Sequence, residues 1–149
     1  MLTRRFFIGA MAAIMFAPAV QAQDAPVYFA TDGAAMAGYD PVSYFVDDAP
    51  VLGHAEHSLM WKGVEWHFAS AENQERFERD PRAFAPQFGG YCAYAMALGL
   101  LSSTDPMAWR VVDGRLYLVH SLAIEKVWQE DMALNIRMAE EHWPSVLYK

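Results

Sequence analysis

Cysteine is nearly absent from this chain: Cys92 is the single one in 149 residues. One thiol cannot close an internal disulfide, so no cross-linked scaffold holds the fold. Cys92 is left as a small buried residue, a ligand, a reactive thiol or an intermolecular link. Basic residues are scarce as well. Lys and Arg number 11 against 18 Asp and Glu, a formal net charge of −7. No basic cluster interrupts this acidic sequence, which repels phosphate backbones; nucleic acid is excluded as a partner and anionic membrane surfaces are disfavoured. The apolar run from Phe6 to Val20 is about 15 residues, short of the roughly 20 that span a bilayer, so no stable membrane anchor is expected. Repeats, low-complexity tracts and a dividing linker are all missing. No GxSxG, HExxH, P-loop or CxxC string announces a reaction. Whether the chain is an enzyme stays open at this stage, with a non-enzymatic role favoured.

What is present begins with an export address. Arg4 and Arg5 form a positive start, an uncharged apolar stretch follows, and Val20-Gln21-Ala22 offers small residues for cleavage after Ala22. Thr3-Arg4-Arg5-Phe6-Phe7-Ile8 is similar to a twin-arginine export signal, with an ordinary Sec signal as the alternative. No cysteine stands at the cleavage point, which argues against a lipoprotein. Residues 1–22 are therefore expected to be a signal peptide and residues 23–149 a periplasmic domain. Without Arg4 and Arg5, nine basic residues face eighteen acidic ones, a net charge of about −9. A domain of that length suits one core.

Local patterns predict an α+β domain of antiparallel hairpins packed with helices. Ser58 to Trp61, the Lys62-Gly63 turn and Val64 to Ala69 read as one hairpin, with Val64, Trp66 and Phe68 on one face and Glu65 and His67 on the other. Arg110 to Val112, Asp113-Gly114 and Arg115 to His120 read as a second, with Leu116, Leu118 and His120 sharing a face directed inward. Ser70 is expected to cap a helix over Ala71 to Arg79, ended by Asp80-Pro81. Gly89-Gly90 is expected to open a helix over Tyr91 to Leu98, closed by Gly99. Ser121 caps a last long helix, Leu122 to His142, whose apolar stripe runs through Val127, Trp128, Met132, Ile136 and Ala139. Pro144 then leaves a short tail, Ser145 to Lys149, and Asp24 to Ala37 is a lead-in segment.

The strings "GYDPVSYF" (Gly38 to Phe45) and "KGVEWHFASAENQERFERDPRAFAPQFGGYCAYAMALG" (Lys62 to Gly99), with "AWRVVDGRLYLVHS" and "EEHWP", resemble the exported, single-domain members of the YHS family. The likeness covers nearly all of the chain after the leader. It implies a neighbourhood of metal handling, since the short YHS domain accompanies copper-transporting ATPases. Cysteines common in the family after the second strand and at the start of the helix are here Ala69 and Asn73, and one that can follow the "DPV" string is Ser43. His67 and Ser70 match family positions, and Cys92 matches the exported subgroup.

Chemistry gathers around Cys92. In the first turn of a helix the macrodipole favours a thiolate, and Met96 at i+4 shares its face. Thiolate and thioether together suit Cu(I); the competing reading is plain core packing. His120 and His67, on strands, are the imidazole candidates, though His120 also reads as a satisfied core residue and His67 as a solvated one. His54 and His57, beside Glu56, are expected in a surface loop. Asp40 reads as a turn or cap residue, and Gly89-Gly90 as backbone permissiveness rather than an anion cradle. The leading expectation is a periplasmic soft-metal binding protein, for copper, held by Cys92, His120, His67 and Met96 and serving buffering, delivery or tolerance, with a protein partner in metal handling. The alternative is a small-ligand or protein-interaction module, its pocket lined by aromatic rings and Cys92 structural; a thiol-dependent enzyme comes third.

Overall fold

Two-residue turns with both central residues at positive φ close the two predicted hairpins. The computed structural model describes residues 24–149; the expected signal peptide, its twin-arginine string and its cleavage point lie outside the described residues. In the first hairpin β3 (His54–Trp61) and β4 (Val64–Phe68) are joined by Lys62 at φ 54° and Gly63 at φ 80°. In the second β5 (Trp109–Val112) and β6 (Arg115–Leu118) are joined by Asp113 at 51° and Gly114 at 73°. Such turns match the right-handed twist of the strands they connect. Upstream, β1 (Ala30–Thr31) and β2 (Ala34–Ala35) pair antiparallel, and Ala34 lies parallel to Glu65, giving a four-stranded sheet in the order β1-β2-β4-β3. The fold is α+β, as the sequence predicts.

Helix starts follow their caps. Helix α1 (Ser43–Val46) is a single turn. The Asn73 N–H donates to Ser70 Oγ (3.2 Å) at the start of α2 (Ala71–Arg79), and the Ala83 N–H to Asp80 Oδ1 (3.3 Å) at α3 (Pro81–Phe84). Helix α4 is shorter than expected, Ala93–Ala97, because Gln87–Gly90 forms a tight 3₁₀ turn with Phe88, Gly89 and Gly90 all at positive φ. Ser121 caps α5 (Leu122–Gln129) through the Ile124 N–H at 3.2 Å. The long terminal helix is in two pieces. The Asp131 carboxylate accepts the Leu134 N–H at 3.1 Å and starts α6 (Met132–His142) afresh. Of the predicted stripe, Trp128 and Ala139 are buried but Val127 is exposed. His54 and His57 belong to β3, not to a loop.

The apolar residues form two cores, and β6 is the wall between them. Leu116 and Leu118 pack with Trp66, Phe68, Phe77 and Tyr44, whereas Tyr117 and Val119 pack with Cys92, Met96, Trp128 and Ala139. Alternate side chains of one strand thus serve opposite cores. The first core lies against the four-stranded sheet; the second is closed by α4 on α6. The tail does not trail away: Val146 and Leu147 are buried, and the Leu147 carbonyl accepts the Ala25 N–H at 3.1 Å. The lead-in is fastened again where Phe29 N–H donates to the Gly89 carbonyl (2.8 Å) and Tyr91 Oη–H to that of Pro26 (2.8 Å).

Candidate functional site

Cys92 is the N-cap of α4 rather than a first-turn residue, and it is 1% exposed. Its sulfur accepts two backbone amides, Ala95 N–H at 3.4 Å and His120 N–H at 3.3 Å, while its own N–H donates to the Ser102 carbonyl. The thiol therefore stitches α4 to the end of the second hairpin. Met96 is wholly buried in the same core, one turn on.

His120 does not point inward. Strand β6 ends at Leu118, both of its faces are already taken by the two cores, and the chain turns at His120 into the α5 cap. The His120 ring is exposed, with Nδ1 3.1 Å from the Ser103 carbonyl oxygen and 3.2 Å from Ser103 Oγ. His67 belongs to the other sheet, on the face opposite Trp66 and Phe68, as predicted. Its Nε2 is 2.9 Å from Glu65 Oε1, and its ring lies against Gly38. It is only partly solvated. Among the described residues, no three His, Cys, Asp or Glu side chains come together as a metal-holding group. Cys92 and Met96 share a core, His120 abuts them through its backbone, and His67 lies in a different sheet. As placed, this donor set does not fit one shared ion.

Asp40 is a buried carboxylate, fully excluded from solvent. Oδ1 accepts the Val42 N–H (2.8 Å); Oδ2 accepts the Ala69 N–H (2.9 Å) and Asn73 Nδ2–H (2.7 Å). Its own carbonyl accepts from Ser43 Oγ–H at 2.8 Å, and that hydroxyl in turn accepts the Val51 N–H. The expected turn role is present and extends to α2, tying the "GYDPVSYF" loop to that helix.

An open cleft of about 620 Å³ lies where the two cores meet at one end of the β6 wall. Tyr28 and Trp61, which pack on the first core, form one side; Phe88 and Trp143, from the second, form the other. Tyr28 and Trp61 meet tilted at 5.2 Å, and Phe88 and Trp143 edge to face at 6.4 Å, between ring centroids. Burial raises the Tyr28 phenol above its ordinary range, partly offset by the charge of Arg82 nearby. The floor is under conformational strain, because a phenylalanine at φ 53° occupies a region that bulky side chains rarely adopt. Gly89 beside it cannot be replaced quietly: a Cβ there would come 1.9 Å from the Val27 carbonyl oxygen and 2.9 Å from the Trp143 ring.

Three cations stand around this cleft, Lys62 from the first hairpin turn, Arg82 from α3 and Arg115 from the head of β6. In the sequence Lys62 marks only a turn, and neither arginine carries a site signal. They are 20 and 33 residues apart, on elements of different type, so no periodicity connects them. Only the aromatic content hinted at a ring-lined pocket. Compared with family models, with curated proteins and with solved structures, the chain finds no match in any of the three.

Proposed function

We propose that this chain is a small-ligand binding module whose cysteine is structural. The observation that carries this reading is the cleft between the two cores, walled by aromatic rings from both. Its volume falls within the roughly 300–1,000 Å³ of small-molecule sites. Flat rings presented edge and face to an open concavity supply a large contact area at little entropic cost. Cys92 supports the reading from the other side: its sulfur is buried and engaged by two amides, the environment of a packing residue. The leader-like start, the periplasmic destination and the YHS resemblance belong to the same proposal, and they name a setting rather than a ligand.

Soft-metal binding remains a second reading, favoured by one observation. The Cys92 sulfur and the His120 backbone are in contact, with Met96 one helical turn away. For copper to be held there, the sulfur must give up its amide donors and the His120 ring must swing in from Ser103.

Elemental analysis and Cu(I) titration of the protein separate the two, combined with tryptophan fluorescence during titration with phenol and phenyl phosphate. On the leading reading, the wild type takes up no stoichiometric copper, and Cys92→Ser keeps the same ligand-induced fluorescence change. Stoichiometric copper that is lost in Cys92→Ser, with no response to either aromatic probe, hands the function to metal binding.

A further inference from the structure

We infer that the cleft takes a small organic anion: a flat apolar body carrying a doubly charged oxyanion, of the phosphate-monoester class. This rests on the small-ligand reading above and names the class of its ligand. The first support is how charge is distributed. Residues 24–149 carry nine cations against eighteen acidic groups. Three of those nine surround one cleft, and no Asp or Glu lines it. Of the six cations outside it, three are paired, Arg76 with Glu72, Arg79 with Glu75, and Arg110 with the buried Glu125 at 2.8 Å, while Lys126, Arg137 and Lys149 stand apart on other parts of the surface rather than together. Among the described residues neither Lys62 nor Arg82 has a carboxylate within 4 Å. Arg115 reaches Glu140 only at 3.6 Å, with both side chains more than half exposed. An exposed pair of that kind is worth little and is readily exchanged for a better anion. Three like charges gathered in a concavity of an acidic molecule focus a local positive potential.

The second support is geometry. The cations rise from backbone that is held in place: a two-residue turn, a helix begun by proline, and the first residue of a strand buried between two cores. The two guanidinium groups can each grip an oxyanion by paired N–H donors, which a lone ammonium cannot do. Three positive charges exceed what one carboxylate neutralises and suit a phosphate dianion. The Tyr28, Trp61, Phe88 and Trp143 rings that line the same cleft provide apolar walls for a planar body. A long polyanion is disfavoured, because beyond the cleft it meets the acidic surface.

Tryptophan fluorescence and isothermal titration of the full chain with phenyl phosphate, phenol and inorganic phosphate test this, since Trp61 and Trp143 both line the cleft. The wild type should bind phenyl phosphate saturably, at least tenfold more tightly than phenol or inorganic phosphate, with affinity falling as salt is raised. The double variant Lys62→Gln/Arg82→Gln should lose at least tenfold in affinity at unchanged far-UV dichroism; Lys126→Gln/Arg137→Gln, the same charge change elsewhere, should bind as the wild type does. Arg115→Gln and the wild-type salt dependence decide the matter if the double variant fails to fold. Phenol binding as tightly as phenyl phosphate, unaffected by the substitutions, overturns the anion class and leaves the small-ligand reading standing. Inorganic phosphate binding equally well overturns the planar body. No saturable response to any of the three probes overturns both readings.

Discussion

Among the described residues no cation pairs with Asp40, and it is wholly buried, so its carboxylate is satisfied by hydrogen bonds: two backbone amides and the Asn73 side chain. Hydrogen bonds to a charged group contribute about 1.5–3 kcal/mol each, and a buried donor stripped of its acceptor costs about as much. Asp40→Asn keeps the shape but turns an acceptor into an –NH₂ that must face one of these donors. We expect it to lower stability by about 2–3 kcal/mol, read from the urea midpoint. Tyr44, four residues on, tests the same core through pH. Its hydroxyl donates to the Pro106 carbonyl at 2.9 Å. Burial, then the nearby Tyr39, Asp105 and Asp40, push the phenol far above its ordinary value near 10. The folded protein keeps this proton while the unfolded chain releases it. The stabilisation is therefore complete below about pH 10 and is lost as pH rises beyond it. Tyr44→Phe should cost about 1 kcal/mol at neutral pH. Its urea midpoint should then fall less steeply than that of the wild type above pH 10. Tyr28, Tyr91 and Tyr117, also raised by burial, leave a residual slope.

Elements were legible in the sequence wherever a local rule decides them. Lys62-Gly63 and Asp113-Gly114 mark turns because positive φ is needed there, and Ser70 and Ser121 mark helix starts because the first amides need an acceptor. The rules failed where the decision was tertiary. The apolar stripe from Val127 to Ala139 reads as one helix, yet Asp131 caps a second one; Trp128, Met132, Ile136 and Ala139 still face one core from both pieces, and Val127 does not. Alternation directs His120 inward only while the strand continues, and β6 ends at Leu118, two residues before it. Gly89-Gly90 reads as a helix opening, yet with Phe88 it forms a left-handed run whose Gly89 packs against residues 27–29. Gly89→Ala accordingly should unfold at markedly lower temperature, by about 2 kcal/mol or more, combining backbone strain with a clash against the Val27 carbonyl. It should also weaken phenyl phosphate binding, since Val27 and Tyr28 move with it.

At the scale of the molecule, two cores on either side of β6 create what neither hairpin holds alone: a seam that opens into an aromatic cleft. The α+β class was readable from hairpins and helix periodicity, whereas the cleft was not. Its rings and cations come from residues 28, 61, 62, 82, 88, 115 and 143, brought together by contacts of long sequence separation. Softness and strand direction point to Cys92, Met96, His67 and His120 as metal residues, but they do not reveal that the Cys92 sulfur is engaged by two amides. The fastening of Ala25 to Leu147 has another consequence. Viewed as a curve in space, the described chain is nearly a ring with a small gap. Where it is cut should then matter little, provided the new opening is exposed and lightly packed. Asp113-Gly114 is such a place, as nothing lies within 4 Å of where a Gly114 Cβ would be. A circular permutant that joins residues 149 and 24 by a short glycine-serine bridge and begins at Gly114 should fold to the same far-UV dichroism and retain the cleft. If it fails to fold, the order in which the hairpins and helices are threaded, rather than closure of the ring, governs assembly.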